Sequence, residues 1–163
     1  MKRAVRSRLL MLIGATALVA LALWQWQSDA RKAPGKLLTL DPAAITQATL
    51  QLGDGAPARY TKRDGHWWRG DGQRADDRYL ETLTEAAAAP VLEWRAAGEF
   101  DASRIGLSPP KAVLTLDGQR LAFGAVSATG PQCYVRVDGR VALVSLRFMP
   151  QAPQQKQQDL GLH

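Results

Sequence analysis

The chain is predicted to be an α+β domain: a mostly antiparallel sheet of several hairpins with one covering helix and a short second helix, preceded by one N-terminal transmembrane helix. Three observations predict it. Asp-Gly recurs at 64–65, 117–118 and 138–139, each time between stretches that can pair as strands. An apolar stripe at helical spacing follows Asp76-Asp77, and residues 9–24 run without a charge behind MKRAVRSR. The 163 residues suffice for one core and a short extension, domains being on the order of 100 to 150 residues.

The apolar run comes first. It spans about 24 Å as a helix, short of the ~30 Å hydrocarbon core but longer than many signal-peptide cores. Trp24 and Trp26 stand where an aromatic belt forms, and Gln25 and Gln27 can carry the helix among headgroups. These features favour an uncleaved signal anchor over residues 9–26, although Ala20 and Ala22 frame a site of the kind signal peptidase accepts. Lys2, Arg3, Arg6 and Arg8 precede the run, and Arg31, Lys32 and Lys36 follow it with Asp29 among them. The positive-inside rule then leaves residues 1–8 in the cytoplasm and places the domain in the periplasm of a bacterial inner membrane. Residues 27–37 are read as a tether, 38–160 as the domain and 161–163 as a tail, with 150–163 forming a terminal helix or fraying.

The formal charge of +6 resides in those flanks; beyond them basic and acidic residues balance. A neutral domain offers little to phosphates, so no nucleic-acid partner is expected. Cys133 is the only cysteine, which excludes an intramolecular disulfide and a Cys-based zinc site; it reads as a small buried hydrophobe.

Within the domain, Asp41-Pro42 opens one helical turn, and a half-buried strand follows with Gln47, Thr49 and Gln51 on one face. Both central residues of a type I′ turn need positive φ, which Asp-Gly supplies, so three hairpins can be drawn. The first opposes Thr61 to Trp68 and Lys62 to Trp67. The second opposes Leu116 to Gln119 and Leu114 to Leu121, and puts Ala112, Leu114, Leu116, Leu121 and Phe123 on one face, Thr115 and Arg120 on the other. The third opposes Tyr134 to Leu143 and Val135 to Ala142; apolar on both faces, it is expected to be the more central pair. Asp76-Asp77 caps a helix carrying Tyr79, Leu80, Leu83, Ala86 and Ala87 as its buried stripe, stopped by Pro90. A second short helix is expected from Asp101 to Ile105, closed by Gly106.

The order of these features, with Trp67-Trp68 ending a hairpin, then a helix, Ile105-Gly106-Leu107-Ser108-Pro109-Pro110, Gly124 and the strand Tyr134-Val135-Arg136, resembles a bacterial domain-of-unknown-function family. That family consists of single-span membrane-anchored proteins often encoded beside gliding-motility-type ABC transporter subunits. The similarity covers residues 38–160. It implies a membrane-tethered accessory domain and supplies no catalytic residues; larger members carry the module more than once, whereas this chain has a single copy.

The residues add no catalytic constellation. His66 lacks a His, Cys or paired acid at ligand spacing and reads as structural or solvent-exposed. Asp76 and Asp77 are explained by capping, since adjacent helical residues do not face each other. Ser103, Ser108 and Ser145 lack a nucleophile-elbow context, and the glycines near Asp54, Gly70 and Gly72 lack phosphate-loop spacing. No metal or cofactor is expected. Trp67, Trp68 and Trp94 are the candidate interaction surface; as neighbours on a strand, Trp67 and Trp68 must point to opposite faces. The function expected is a non-enzymatic membrane-tethered periplasmic interaction or scaffold domain with protein partners in the inner membrane or periplasm. The alternative is a periplasmic module binding a glycan, lipid or peptide.

Overall fold

A computed structural model of the chain describes residues 14–25 and 35–153. The basic N-terminus, the ends of the 9–26 segment, most of the tether and the tail beyond residue 153 lie outside these. The chain divides into two units, Met1–Ala33 and Pro34–His163. In the first, residues 14–25 are helical, with Leu18 and Trp24 exposed. Among the described residues no helix is long and apolar enough to cross a membrane.

The second unit is α+β, built on one antiparallel sheet of eight strands. In chain order these are β1 (Gln47–Leu52), β2 (Ala58–Arg63), β3 (His66–Arg69), β4 (Val91–Ala96), β5 (Ala112–Leu116), β6 (Gln119–Val126), β7 (Gln132–Val137) and β8 (Arg140–Ser145). In space they lie β3-β2-β1-β5-β6-β7-β8-β4. Among the described residues of this unit the one α-helix, α1 (Asp77–Thr84), follows β3 and runs on into a 3₁₀ turn, Glu85–Ala88.

The three Asp-Gly hairpins form in the expected registers: Thr61 opposite Trp68, Leu114 opposite Leu121, Val135 opposite Ala142. Asp64, Asp117 and Asp138 and the glycines after them all take positive φ, as type I′ turns require. Asp117 adds a tertiary tie, its carboxylate accepting from the amides of Thr46 and Gln47 at 3.1 and 2.9 Å.

The inner face collects Ala48, Leu50, Tyr60, Trp67, Leu114, Leu116, Leu121, Phe123, Cys133, Val135, Ala142 and Val144. Over it lie Leu80 and Leu83 of α1, Ala86 and Ala87 behind them, and Leu37, Leu38 and Ile45. Asp76 caps α1 by accepting from the amides of Arg78 and Tyr79, and Asp41 caps the Pro42–Ala44 turn in the same way through Ala43.

Two expectations are corrected. The third hairpin is not central: β5 and β6 occupy the middle, while β7 and β8 lie toward one edge. It is apolar on both faces because residues 97–110 fold over its outer side, where Ile105 and Leu107 pack on Ala122 and Val141 with Phe100 and Tyr134 alongside. The edge beyond it is β4, a strand absent from the sequence reading, paired to β8 through a register shift between Val91 and Glu93. The second correction concerns 101–105, which forms consecutive turns rather than a helix. Asp101 still accepts from the Ser103 amide at 3.0 Å, and Gly106 still closes the segment at φ 68°.

Glycine holds this flap down. The Ala125 amide donates to the Ile105 carbonyl at 2.7 Å, so strand and flap touch backbone to backbone. A Cβ on Gly124 would collide with that carbonyl and stand 3.1 Å from the Leu107 side chain. Gly124→Ala is therefore expected to lower stability by about 1–3 kcal/mol in urea unfolding, the usual penalty of overpacking. Gly98→Ala, whose Cβ meets nothing within 4 Å, is expected to stay within about 0.5 kcal/mol.

Candidate functional site

The tryptophans separate. Trp67 points inward at 1% exposure and belongs to the core. Trp94 sits on the inner face at the far edge, half-buried, with the Arg140 guanidinium 4.1 Å from its ring centroid. Trp68 alone turns to the outer face, half-buried, with the Arg74 guanidinium 5.7 Å from its ring centroid. The three form no common platform, since β3 and β4 are opposite edges of the sheet.

What surrounds Trp68 is a part of the outer face that the 97–110 flap does not cover. Register fixes its membership. Thr61 lies beside Trp68; Thr49 pairs with both Arg59 and Thr115, and Thr115 pairs with Arg120, so Arg59, Thr49, Thr115 and Arg120 form one row across four strands. Period-two alternation adds Arg63 to this face on β2, and Gln47 and Gln51 on β1. Arg59, Thr61, Arg63 and Arg120 are exposed, while Thr49 and Thr115 are half-buried.

The electrostatics of this surface differ from those of the whole domain. Strands β1, β2, β3, β5 and β6 carry no aspartate or glutamate. Of the acids near them, Asp64 and Asp117 supply the positive-φ positions of the hairpin turns, while Asp77 stands on α1 against the β3 rim, bonded to His66 and the Trp67 amide. Among the described residues, Arg59, Arg63 and Arg120 enter no ion pair. The balance of charge along the sequence thus conceals a segregation in space.

At the rim, a cluster unites residues that the sequence reading kept apart. Asp77 accepts from the Trp67 amide at 2.7 Å through Oδ1, while its Oδ2 lies 2.8 Å from His66 Nδ1 and 2.8 Å from Arg74 Nη2. Capping explains Asp76 alone; Asp77 clasps the start of α1 to β3. His66 therefore does have a carboxylate partner. Its Nδ1 can donate to Asp77 or accept from Arg74, which lies 2.5 Å away, but not both. The Trp67 amide first, then His66 and Arg74, hold the Asp77 carboxyl well below the usual carboxylate range. The signal in the sequence was the doubled aspartate, of which a helix N-terminus needs only one as cap.

Elsewhere, a groove of about 450 Å³ separates α1 from residues 147–153, lined by Arg78, Tyr79, Arg147 and Phe148 among others. The Tyr79 hydroxyl donates to the Gln151 carbonyl at 2.8 Å, and burial pushes its pKa up to about 12, so it stays a donor. Cys133 lies in the core with its thiol pushed up to about 11 by burial. Among the described residues no group of three or more His, Cys, Asp or Glu could hold a metal ion. Compared with protein-family models, with curated proteins and with solved structures, the chain matches none.

Two outcomes follow. A depressed carboxyl pKa contributes stability that is present above the ordinary value of about 4 and is lost as pH falls through the folded value. Asp77→Asn is therefore expected to be less stable than the parent at pH 7, with the gap narrowing below about pH 4; urea midpoints against pH read this, and a gap constant with pH would refute it. Cys133 is expected to resist maleimide at pH 7 in the folded chain and to react once urea unfolds it, because the thiolate is the nucleophile.

Proposed function

We propose that this chain is a non-enzymatic, membrane-tethered interaction domain of the bacterial periplasm, and that its contact surface is the open part of the outer sheet face beside Trp68. The carrying observation is the unequal treatment of one face. Over β6 to β8 the chain covers its own sheet with the 97–110 flap; over β2, β1, β5 and the start of β6 it leaves a polar surface of threonine, glutamine and arginines that enter no ion pair among the described residues. The basic-flanked apolar run at 9–26 supports the tether. The resemblance to single-span anchored proteins supports an accessory role beside a transport or envelope complex.

The test uses the full chain in its native membranes. Thr61 is exposed on the open face, and Cys133 is buried, so Thr61→Cys supplies an addressable thiol. Maleimide labelling of that position is expected to be slow in membranes and fast after detergent extraction. Equal rates in both states would mean that nothing engages the face. Extraction of the chain by alkaline carbonate, or a mass lacking the first 22 residues or so, would refute the tether.

A further inference from the structure

The occupant of the open face can be narrowed by the spacing of its charges; this rests on the tethered-interaction reading above. Arg59 and Arg120 end one row across four strands, three strand spacings or about 14 Å apart at the backbone. Arg63 lies four residues along β2 from Arg59, about 13 Å away. No single carboxylate or phosphate spans such distances, so the complementary partner presents several negative charges. The arrangement is also two-dimensional. An extended acidic chain lying along β2 meets Arg59 and Arg63 but leaves Arg120; lying across the strands, it meets Arg59 and Arg120 but leaves Arg63. A surface meets all three.

Between the arginines stand Thr49, Thr61 and Thr115, uncharged hydroxyl carriers able to hydrogen-bond to phosphate and glycerol oxygens. Beside Thr61 is Trp68, half-buried and facing outward, the residue type enriched where headgroups meet hydrocarbon. A tethered domain meets such a surface at high effective concentration, so weak contacts suffice.

We propose that the open outer face, through Arg59, Arg63, Arg120 and Trp68, docks the domain on anionic phospholipid headgroups. Each arginine near an anionic surface multiplies the docked population about fivefold, so three give about a hundredfold. The attraction is screened as the Debye length falls from about 10 Å at 0.1 M salt to about 3 Å at 1 M.

The experiment reconstitutes the purified full chain carrying Thr61→Cys into two kinds of vesicle, phosphatidylcholine alone and phosphatidylcholine with about a third phosphatidylglycerol. Maleimide labelling at low salt is expected to be about tenfold slower or more in the anionic vesicles, and to regain the neutral-vesicle rate at high salt or when Arg59→Glu and Arg120→Glu are added. The control chain carrying Ala128→Cys in place of Thr61→Cys, in the exposed loop between β6 and β7, is expected to keep its labelling rate throughout. Equal rates at position 61 in both vesicles overturn the lipid proposal. Should Thr61→Cys still be protected in native membranes, the contact surface stands and its occupant is a protein. Slowing at positions 61 and 128 alike overturns the assignment to this face. A chain that floats with neither vesicle refutes the tether.

Discussion

One short helix has to serve a sheet far wider than itself. Eight strands span about 34 Å edge to edge, whereas the eight residues of α1 cover about 12 Å. The chain meets this shortfall with its two long connections. Residues 70–90 leave β3 at one edge, cross the inner face as α1 and the turn behind it, and deliver β4 to the opposite edge. Residues 97–110 then return over the outer face to reach β5 in the middle. Each crossing buries what it passes over, so topology decides which parts of the sheet are dry.

Both crossings depend on close fastenings. The first is held at its start by Asp77, whose two oxygens take an amide from β3 and the His66 and Arg74 side chains. The second is held along β6 by Gly106 and Gly124, where the missing side chains let Ile105 and Ala125 bond backbone to backbone. The Ile-Gly-Leu-Ser-Pro-Pro stretch thus has a mechanical role, which motif and distant glycine acquire only together. What the second crossing leaves uncovered is the surface available for contact. Its character follows from turn chemistry: hairpins of type I′ draw aspartate into the turns, and the strands between keep arginine, threonine and glutamine.

Local signals were legible where the physics is local. Turn type, strand alternation and helix capping each depend on neighbours a few residues away, so the three hairpin registers, α1 and the Pro42–Ala44 turn could be drawn before any tertiary contact was known. The strand Val91–Ala96 escaped because its alternation is broken at Leu92 by the register shift and because it pairs with β8, far along the chain. The order of hairpins in the sheet is not encoded locally for a related reason. Apolar residues on both faces report only that both faces are covered, not a central place in the sheet, and here a loop covers one of them.

The contact surface shows the same division. The amino-acid sequence alone determined the α+β class, the alternation that sends Trp67 and Trp68 to opposite faces, and an apolar N-terminal run between basic flanks. Those follow from periodicity, turn stereochemistry and the distribution of charge along the chain. Only the tertiary structure decided that Trp67 is the core residue and Trp68 the outward one, that Asp77 reaches His66, and that a balanced set of charges leaves a basic open face on strands that carry no acid. Burial and charge separation arise where distant strands become neighbours, and spacing along the chain does not encode which strands those are.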